Sequence, residues 1–371
     1  MGGERRNAMR KVAIFLLLTG GLIGITGSFA QAPGKSGIIA PLRNSPLALE
    51  PGKTHLVFAG VTANFPRIAV WLFQGFYQTL PHGTFRGDVL FVGDGAVVAT
   101  QRICDGQAHF AITTPAAVAT MLYKGIGIGK KPCPTLRGLF KLPQRDPITL
   151  AVRADLGVNS FEDIIRKKIP LKMATAGPES GRALAFLYPE LLKDYGTSLA
   201  EIQSWGGGIV SADLGGAAIE KVMAGEANAL IHEGDVPIAP EWKKLNAKYP
   251  MRVLSISRNV MEKLQAYGFT KFDQTIPKGK YAGVDADVST LDYSDWIVLA
   301  DSTVPDNIAY LMAKIGVERK EAFESQYRDM LPAGSKELGQ YIADPKEMWK
   351  DLGVPLHPGA EKYFKEKGLM K

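Results

Sequence analysis

The chain has 371 residues, of which 46% are hydrophobic and 22% are charged, and its formal net charge is +7 at pH 7. The positive surplus is spread along the chain without a basic block, which excludes the charge pattern typical of nucleic-acid-binding proteins. A chain of this length exceeds one comfortable hydrophobic core, so we expect two lobes or domains.

Residues 1–30 are predicted to be a cleavable export signal. The segment begins with four basic residues, continues with an uncharged apolar run over 12–27, and ends on Ser28 and Ala30, small residues at the positions that a signal peptidase reads. A retained membrane anchor is the alternative, but the run is shorter than the roughly 20 apolar residues that a span needs. Cleavage would remove four bases and one acid and lower the net charge to about +4. No cysteine follows for lipid attachment, and residues 31–52, rich in Pro, Gly and Ser, are predicted to be a flexible leader.

The two cysteines, Cys104 and Cys133, leave two interpretations open. In an exported protein they can form a disulfide, and the enclosed loop is long enough to stabilise the fold appreciably. Two separately buried thiols are the alternative, because a sequence does not give the distance between the two Cα atoms.

Short apolar strands alternate with helices from residue 54 onward. In the first half, strands are predicted over 56–60, 88–92 and 110–113, and helices over 66–80 and 95–105. In the second half, strands are predicted over 149–152, 171–174, 229–232, 251–256 and 295–299, and helices from Ser160, over 181–195 and over 213–224. After Pro305 the chain is predicted to be almost wholly helical, over 309–315, 320–330 and 360–367. This alternation indicates parallel βαβ units and therefore an α/β fold.

The two halves are similar where a helix ends and the next strand begins. Residues 105–112 and 225–231 each place a glycine at the helix stop and a small residue at the start of the strand. The match predicts two similarly built lobes, with a chain that passes from the first to the second and back, as in hinged proteins.

Candidate ligand-binding residues lie in the loops that follow the predicted strands. Ligands of open parallel sheets bind beyond the carboxyl ends of the strands, where free N–H groups at helix starts favour an anion. The candidates are Thr62, Asn64, Phe65, Asp94, Thr113, Thr114, Ser180, Gly181, Arg182, Trp205 and Glu233. Ordinary roles are the alternative: Asn and Ser cap helices, threonines close turns, tryptophan packs in cores, and loop acids are solvated.

Arg182 is the most specific of these candidates. We expect it in the first turn of a helix, where a cation opposes the helix dipole. A bidentate bond to a ligand carboxylate would explain a cation at that position. Contact with solvent or with a surface acid is the alternative.

The motifs do not indicate an enzyme. The five histidines are scattered without His-Glu-x-x-His spacing, and there is no Gly-x-Ser-x-Gly sequence. Residues 125–130 are rich in glycine and end in lysine, but they lack the full phosphate-loop register, so a basic surface loop explains them better. We therefore expect no catalytic residues, no metal and no cofactor.

Three stretches carry a family resemblance. They are the loop Gly-Pro-Glu-Ser-Gly at 177–181, the stretch Ile-Pro-Lys-Gly-Lys-Tyr-Ala-Gly at 276–283, and the ending Pro-Leu-His-Pro-Gly-Ala-Glu-Lys-Tyr-Phe at 355–364, which is the most specific. In these stretches the chain resembles the extracytoplasmic solute receptors of TRAP transporters, specifically the TAXI class, over about residues 54–371.

The resemblance implies a type 2 periplasmic-binding-protein fold: two α/β lobes joined by hinge strands, with a helical C-terminus. We expect lobe 1 to comprise 53–148 and 290–371 and lobe 2 to comprise 149–289, with hinge strands near 149–153 and 289–298. The implied function is a periplasmic receptor that captures a small organic anion or amino acid by hinge closure and delivers it to a TRAP membrane subunit; we expect a monomer. A receptor that feeds a signalling protein is the alternative, and the ligand stays open.

The sequence departs from this family where a ligand would be met. The first loop reads Gly-Val-Thr-Ala-Asn-Phe-Pro at 60–66 in place of a Thr/Gly-rich run before Tyr-Tyr-Pro. Elsewhere the family's Ser, Glu, Asn, Gln and Thr are replaced by Ala96, Val98, Ala99, Thr114 and Arg182. Polar groups are lost and one arginine is added, which predicts an acid with a more apolar body, held by Arg182.

Overall fold

The structure, a computed structural model, describes residues 54–61, 64–93, 95–144, 146–233, 240–270, 274–324 and 344–371. The predicted export signal and leader lie outside these ranges. Among the helices of the described ranges, none is both long enough and apolar enough to cross a membrane.

The described strands and helices alternate along the chain. The strands are β1 (Thr54–Val61), β2 (Phe85–Val92), β3 (Phe110–Thr113), β4 (Leu136–Leu142), β5 (Thr149–Arg153), β6 (Lys172–Thr175), β7 (Gly208–Ser211), β8 (Ala229–His232), β9 (Met251–Leu254), β10 (Gln274–Ile276), β11 (Val288–Thr290) and β12 (Trp296–Asp301). The helices are α1 (Asn64–Thr79), α2 (Gly95–Cys104), α3 (Ala116–Lys124), α4 (Phe161–Lys167), α5 (Ala183–Asp194), α6 (Leu199–Ser204), α7 (Gly215–Met223), α8 (Pro240–Lys248), α9 (Arg258–Lys263), α10 (Asp306–Glu318) and α11 (Pro358–Glu366).

Two five-stranded sheets share one plan. The first has the strand order β2-β1-β3-β12-β4 and the second has the order β7-β6-β8-β5-β9. In each, the three strands at one side are parallel to one another and the fourth strand is antiparallel to its neighbours. The predicted α/β class and the two α/β lobes are confirmed, and the parallel βαβ units are joined in each sheet by one antiparallel strand, β12 or β5.

Local sequence explains where several elements begin and end. Ser160 caps α4 as predicted, because its Oγ accepts a hydrogen bond from the Asp163 N–H at 3.2 Å. Gly106 and Gly225, at the corresponding helix stops of the two lobes, have φ values of 69° and 77°, which glycine adopts without steric cost. The glycine-rich residues 125–130 follow the end of α3 instead of preceding a helix, so they do not form a phosphate loop.

Two segments run side by side between the sheets; we call residues 144 and 146–148 together with residues 290–295 the crossing segments. They are antiparallel and exchange backbone hydrogen bonds of 2.9–3.0 Å, from Ile148 to Leu291, from Tyr293 to Asp146 and from Asp295 to Gln144. The first predicted hinge range, 149–153, is instead β5 inside the second sheet. The crossing lies just before it.

A buried ion pair holds the crossing segments to the first sheet. Lys141 Nζ at the end of β4 lies 3.2 Å from Asp295 Oδ2, and both side chains are almost fully buried. Loss of one partner of a buried ion pair strongly destabilises a protein, because the other charge is left buried without compensation. The Lys141–Asp295 pair therefore keeps β4 and the start of β12 together where the chain leaves the lobe.

The apolar core is continuous across the two lobes. One cluster lies within the first lobe, where α1 packs between the sheet and α10: a Cβ on Gly75 would lie 2.4 Å from Ile315 Cγ2. A second cluster contains Val57 of β1 and Leu150 of β5, and therefore joins residues of both sheets. Burial of apolar surface stabilises a fold by on the order of 25 cal/mol for each Å². The apolar residues shared by the two sheets therefore stabilise the contact between the lobes.

The most specific family-like stretch has a structural role. Leu356 forms a parallel bridge with Gly138 of β4, and His357 donates its N–H to the Gly138 carbonyl at 2.9 Å. The buried His357 Nδ1 then accepts the Gly359 N–H at 3.2 Å and caps α11. A Cβ on Gly359 would lie 2.1 Å from the Asp306 carbonyl oxygen, so only glycine allows α11 to approach α10 this closely.

The cysteines form a disulfide. Cys104 at the end of α2 and Cys133 before β4 have Cα atoms 5.6 Å apart and are bonded through sulfur. Of the two interpretations left open by the sequence, the structure shows the disulfide, which closes a loop between residues 29 apart.

Removing this disulfide is expected to destabilise the protein. In the loop-entropy account, a disulfide that closes a loop of this length lowers the conformational entropy of the unfolded chain and thereby stabilises the folded protein by about 3–4 kcal/mol. The double substitution Cys104→Ser with Cys133→Ser should lower the free energy of unfolding by that amount in urea titrations. A reducing agent should destabilise the wild type and leave the double variant unchanged; equal sensitivity of both proteins would contradict the prediction.

His109 is expected to make the fold sensitive to acid. Burial lowers the pKa of His109 to about 3, with a smaller contribution from His55, and Nδ1 accepts the Val57 N–H at 2.8 Å, which requires a neutral ring. In the unfolded chain the histidine binds a proton near pH 6.5, whereas the folded ring stays neutral down to its lower pKa. The free energy of unfolding therefore has its full value above pH 6.5 and falls by about 1.4 kcal/mol per pH unit towards the folded pKa.

The substitution His109→Asn tests this expectation, since the Asn side chain can still accept the Val57 N–H but does not titrate. Between pH 7 and pH 5 the wild type should lose about 2 kcal/mol more unfolding free energy than the variant. Parallel pH profiles for the two proteins would show that His109 is not the acid-sensitive group.

Candidate interlobe binding site

The carboxyl ends of the parallel strands in both lobes lie beside the crossing segments. In the second lobe, β6 leads into the loop 176–182 and β8 ends at His232, followed by Glu233. In the first lobe, β2 leads to Gly95 and β3 leads to Thr114. These strand ends are where ligands of open α/β sheets bind.

Three charged or titratable side chains form a chain of contacts at the edge of the second lobe. Arg182 Nη1 lies 3.5 Å from Glu233 Oε1, and His232 Nδ1 lies 3.1 Å from Glu233 Oε2. His232 Nδ1 also lies 3.3 Å from the Glu233 carbonyl oxygen. We call Arg182, His232, Glu233 and the neighbouring Tyr293 the interlobe cluster.

The location of Arg182 differs from the prediction. Helix α5 begins at Ala183, so Arg182 is the N-cap residue with an extended backbone and lies just outside the first turn. Its guanidinium contacts the Glu233 carboxylate, and the side chain is 25% exposed. A partly buried acid therefore explains the cation in this structure, in place of the helix-dipole argument.

Burial and charge act in opposite directions on the histidine and the glutamate. Burial alone would lower the pKa of His232, but the adjacent Glu233 carboxylate raises it above its ordinary value. Burial alone would raise the pKa of Glu233, but His232 first and Arg182 second lower it. The pair is thus held in its charged form, with the carboxylate between two cations.

Tyr293 connects this cluster to the crossing segments and to the first lobe. Its ring is buried, and burial, with Glu233 and Asp146 as further causes, raises the pKa of its hydroxyl well above the ordinary range. Thr114 of the first lobe donates its hydroxyl to the Tyr293 carbonyl oxygen at 3.2 Å. Tyr293 is thus bonded to the strand end of the first lobe and lies within electrostatic reach of the charged residues of the second.

The two lobes also meet at two glycines. A Cβ on Gly95 at the start of α2 would lie 2.5 Å from the Gly181 carbonyl oxygen, and Gly95 has a φ of 87°. Both the space and the backbone conformation therefore require glycine. The start of α2 lies against the loop that carries Ser180, Gly181 and Arg182.

Several buried polar atoms at these strand ends have no hydrogen-bond partner among the described residues. They are Thr113 Oγ1, Thr149 Oγ1, Thr175 Oγ1 and His232 Nε2. Thr149 and His232 are directly paired in neighbouring strands, so two of these atoms belong to adjacent positions. Buried polar groups normally have partners, so these strand ends hold polar atoms that the surrounding protein does not satisfy.

The structure brings part of the predicted set together. Arg182 and Glu233 are in contact, Ser180 Oγ accepts the Arg182 N–H at 3.4 Å, and Gly181 meets the first lobe. Thr113 and Thr114 lie at the end of β3 and were described above. The predicted residues Thr62 and Asp94 and the side chain of Asn64 lie outside the part of the chain that the structure describes.

Two predicted residues lie elsewhere. Phe65 is buried in the core of the first lobe, where its ring centroid lies 5.7 Å from that of Trp296 in a T-shaped contact. Trp205 ends α6 and precedes β7, so it lies at the amino end of the parallel strands, at the opposite edge of the sheet from Arg182. The placement fails because the prediction assigned the glycine-rich turn at 206–208 to the wrong end of a strand.

Sequence reasoning missed His232, Tyr293 and Gly95. His232 was assigned to the end of a strand, and its place next to Glu233 was a signal that the last strand residue and the first loop residue share the site. Tyr293 lies in the predicted hinge range 289–298 but was not among the candidate ligand-binding residues. In the described ranges, no group of three His, Cys, Asp or Glu side chains is placed to hold a metal ion.

The contact between α2 and the loop before α5 can be tested at Gly95. The substitution Gly95→Ala adds a methyl group against the Gly181 carbonyl and strains a positive φ, which should cost about 1–3 kcal/mol and increase amide exchange over 177–182. Gly93→Ala is the matched control, since a Cβ there would meet nothing within 4 Å, and should change stability by less than about 0.5 kcal/mol. Equal effects of the two substitutions would refute the contact.

Similar solved structures have low sequence identity. A Xanthomonas citri protein, XAC2383 bound to ATP, has a TM-score of 0.47 and 10% identity, covering 85% of this chain and 96% of that one. SsuA, the alkanesulfonate-binding protein of Xanthomonas axonopodis pv. citri bound to MOPS, has a TM-score of 0.42 and 11% identity, covering 80% and 86%. ProX, a glycine betaine and L-proline-binding protein of Borrelia burgdorferi, has a TM-score of 0.41 and 10% identity, covering 77% and 100%. Because these TM-scores lie below 0.5, no ligand or partner of this chain follows from them.

The family comparison covers most of the chain. The NMT1-like family matches residues 91–368, a range that includes the end of β2, the whole second lobe, the crossing segments, the interlobe cluster and α11. The chain therefore belongs to the NMT1-like family.

Proposed function

We propose that this protein is a solute receptor that holds a small organic anion or amino acid between its two lobes. The observation that carries the proposal is the interlobe cluster: an arginine, a histidine and a glutamate in contact, largely buried, at the strand ends beside the crossing segments. Charged groups are rarely buried unless they are paired or serve a ligand. The unpartnered polar atoms around them supply further hydrogen bonds for a polar ligand.

Arg182 is the residue proposed to meet the ligand carboxylate. A guanidinium offers five N–H donors in a planar fork that fits a carboxylate in a bidentate manner. Only one of its nitrogens contacts Glu233, at a distance longer than the 2.7–2.9 Å typical of charge-assisted hydrogen bonds. The fork can therefore engage a ligand.

Hinge closure is the proposed mechanism. The lobes are joined by the antiparallel crossing segments, and Tyr293 and Thr114 couple these segments to the strand ends. A ligand that contacts both lobes stabilises the closed arrangement by its difference in affinity for the two states. The lobe boundaries at 148/149 and 289/290 are part of this proposal.

The partner and the location are proposed from the sequence. The predicted export signal favours a periplasmic protein, and the stretches at 177–181, 276–283 and 355–364 favour the TAXI class of TRAP receptors with a TRAP membrane subunit as recipient. The absence of enzyme motifs from the sequence favours a binding role over catalysis. Gene neighbourhood tests the transport partner, since a fused TRAP membrane protein supports it and a sensor kinase argues for signalling.

A thermal-shift screen of organic acids and amino acids tests the receptor function. A ligand that binds only the folded protein raises the melting temperature in proportion to the logarithm of its concentration. For a compound that raises it, Arg182→Ala should weaken the affinity measured by calorimetry by ten- to a hundredfold, as expected for loss of about 1.5–3 kcal/mol from a charged hydrogen bond.

Arg166→Ala is the matched control, because Arg166 pairs with Asp163 on an exposed face of α4. It should leave the affinity unchanged. A library without a single stabilising compound, or a compound whose affinity is the same for wild type and Arg182→Ala, would overturn the proposed site.

A further inference from the structure

We propose that Glu233 does not bind the ligand but regulates the charge of the site, so that the site selects monoanionic ligands. When a ligand carboxylate binds, Glu233 gives up its contact with Arg182 and keeps protonated His232 as its partner. This inference rests on the proposed function and specifies its ligand class. An acid beside a binding-site arginine would otherwise suggest a zwitterion, with Glu233 holding the ammonium group. The contacts of Glu233 favour the anion instead.

Both carboxylate oxygens of Glu233 already face cations of the protein. Oε1 faces Arg182 at 3.5 Å, and Oε2 faces His232 at 3.1 Å. His232 is 2% exposed, whereas Arg182 is 25% exposed. The inner partner is thus the histidine, and the outer, more loosely held partner is the arginine.

The charge of the cluster depends on the proton of His232. With a neutral imidazole, Arg182 and Glu233 cancel, and a ligand carboxylate must compete with Glu233 for the guanidinium. With a protonated imidazole the three groups sum to one positive charge, His232 alone neutralises Glu233, and Arg182 is free for the ligand. Unit charges a few ångströms apart attract each other more strongly in such a partly buried site than in bulk water.

The surroundings of His232 support this exchange. Two charged groups act on the pKa of the imidazole: Glu233, which follows the same strand, raises it, and Arg182 at the start of α5 lowers it. From the crossing segments, Tyr293 lies within electrostatic reach of Glu233 and Arg182, and burial raises the pKa of its hydroxyl and keeps it neutral. Two oxygens of Glu233 face Nδ1, which places the Nδ1 proton between them and leaves the second nitrogen, Nε2, to titrate.

The test uses two simple probes of opposite charge, propionate and propylammonium, on the intact mature protein. Thermal shift and calorimetry are recorded from about pH 6 to pH 8.5, the range in which histidine titrates. Propionate, which stays ionised throughout, should bind more tightly at low pH, and its affinity should fall by up to tenfold per pH unit above the pKa of His232. Propylammonium should not bind.

The decisive variant is Glu233→Gln, which keeps the shape of the side chain and removes its charge. Propionate affinity near pH 8 should rise several-fold above that of the wild type, because Arg182 no longer has a competing carboxylate, and its pH dependence above pH 7 should disappear. In NMR titrations of the histidine ring, with His232→Gln to assign the signal, the pKa of His232 should fall in Glu233→Gln.

Three results would overturn the inference. Glu233→Gln could weaken propionate binding as Arg182→Ala does, or propylammonium could bind the wild type and fail to bind Glu233→Gln, which would make Glu233 the ammonium site. A wild type that binds neither probe at pH 6 also overturns the anion assignment. The receptor function itself is contradicted only if no compound of the wider library of organic acids and amino acids raises the melting temperature. The NMR titration of His232 tests the charge arrangement in either case.

Discussion

A buried carboxylate must be accompanied by a cation, and this constraint organises the centre of the molecule. Glu233 follows the last residue of β8 and lies where water is largely excluded, so it requires His232 on one side and Arg182 on the other. Arg182 is available only because the loop 176–182 is held between β6 and α5, with Gly181 against Gly95 of the other lobe. One loop therefore carries both the Arg182–Glu233 contact and the contact of Gly181 with the other lobe.

The crossing segments are the second feature that joins the two lobes. Their antiparallel hydrogen bonds keep the two sheets in a defined relation, and the Lys141–Asp295 pair holds them to the first lobe. Tyr293 lies in the middle of one segment, its carbonyl oxygen receives the Thr114 hydroxyl, and its own hydroxyl is within electrostatic reach of Glu233 and Arg182. The segment that carries Tyr293 therefore lies close both to the first lobe and to the charged residues of the second.

Most of the fold could be predicted from the sequence because it depends on short-range patterns. The alternation of apolar runs and helices gives both lobes, and Gly106 and Gly225 mark equivalent helix stops. The antiparallel placement of β12 and β5 could not be predicted, since pairing between distant strands leaves no local signal. The same limit explains the site: Arg182 and Glu233 were recognised singly, but their contact across 51 residues and the part played by His232 and Tyr293 emerge only in three dimensions. The prediction for Trp205 was wrong because it relied on local composition alone: the glycines beside it resemble a ligand-binding loop, but they precede β7 instead of following a strand.

The family-like stretches also separate into two roles. Those at 276–283 and 355–364 serve packing: a Cβ on Gly283 would lie 2.5 Å from the Met251 carbonyl, and Gly359 allows α11 to meet α10. The loop at 177–181 alone borders the interlobe cluster, and it is followed by the arginine that departs from the pattern. A crystal structure of the protein with an acid that stabilises it tests the central claim most directly. The account predicts the ligand carboxylate within about 3 Å of the Arg182 guanidinium, with Glu233 still against His232. A carboxylate bound away from Arg182, or a ligand ammonium on Glu233, would contradict it.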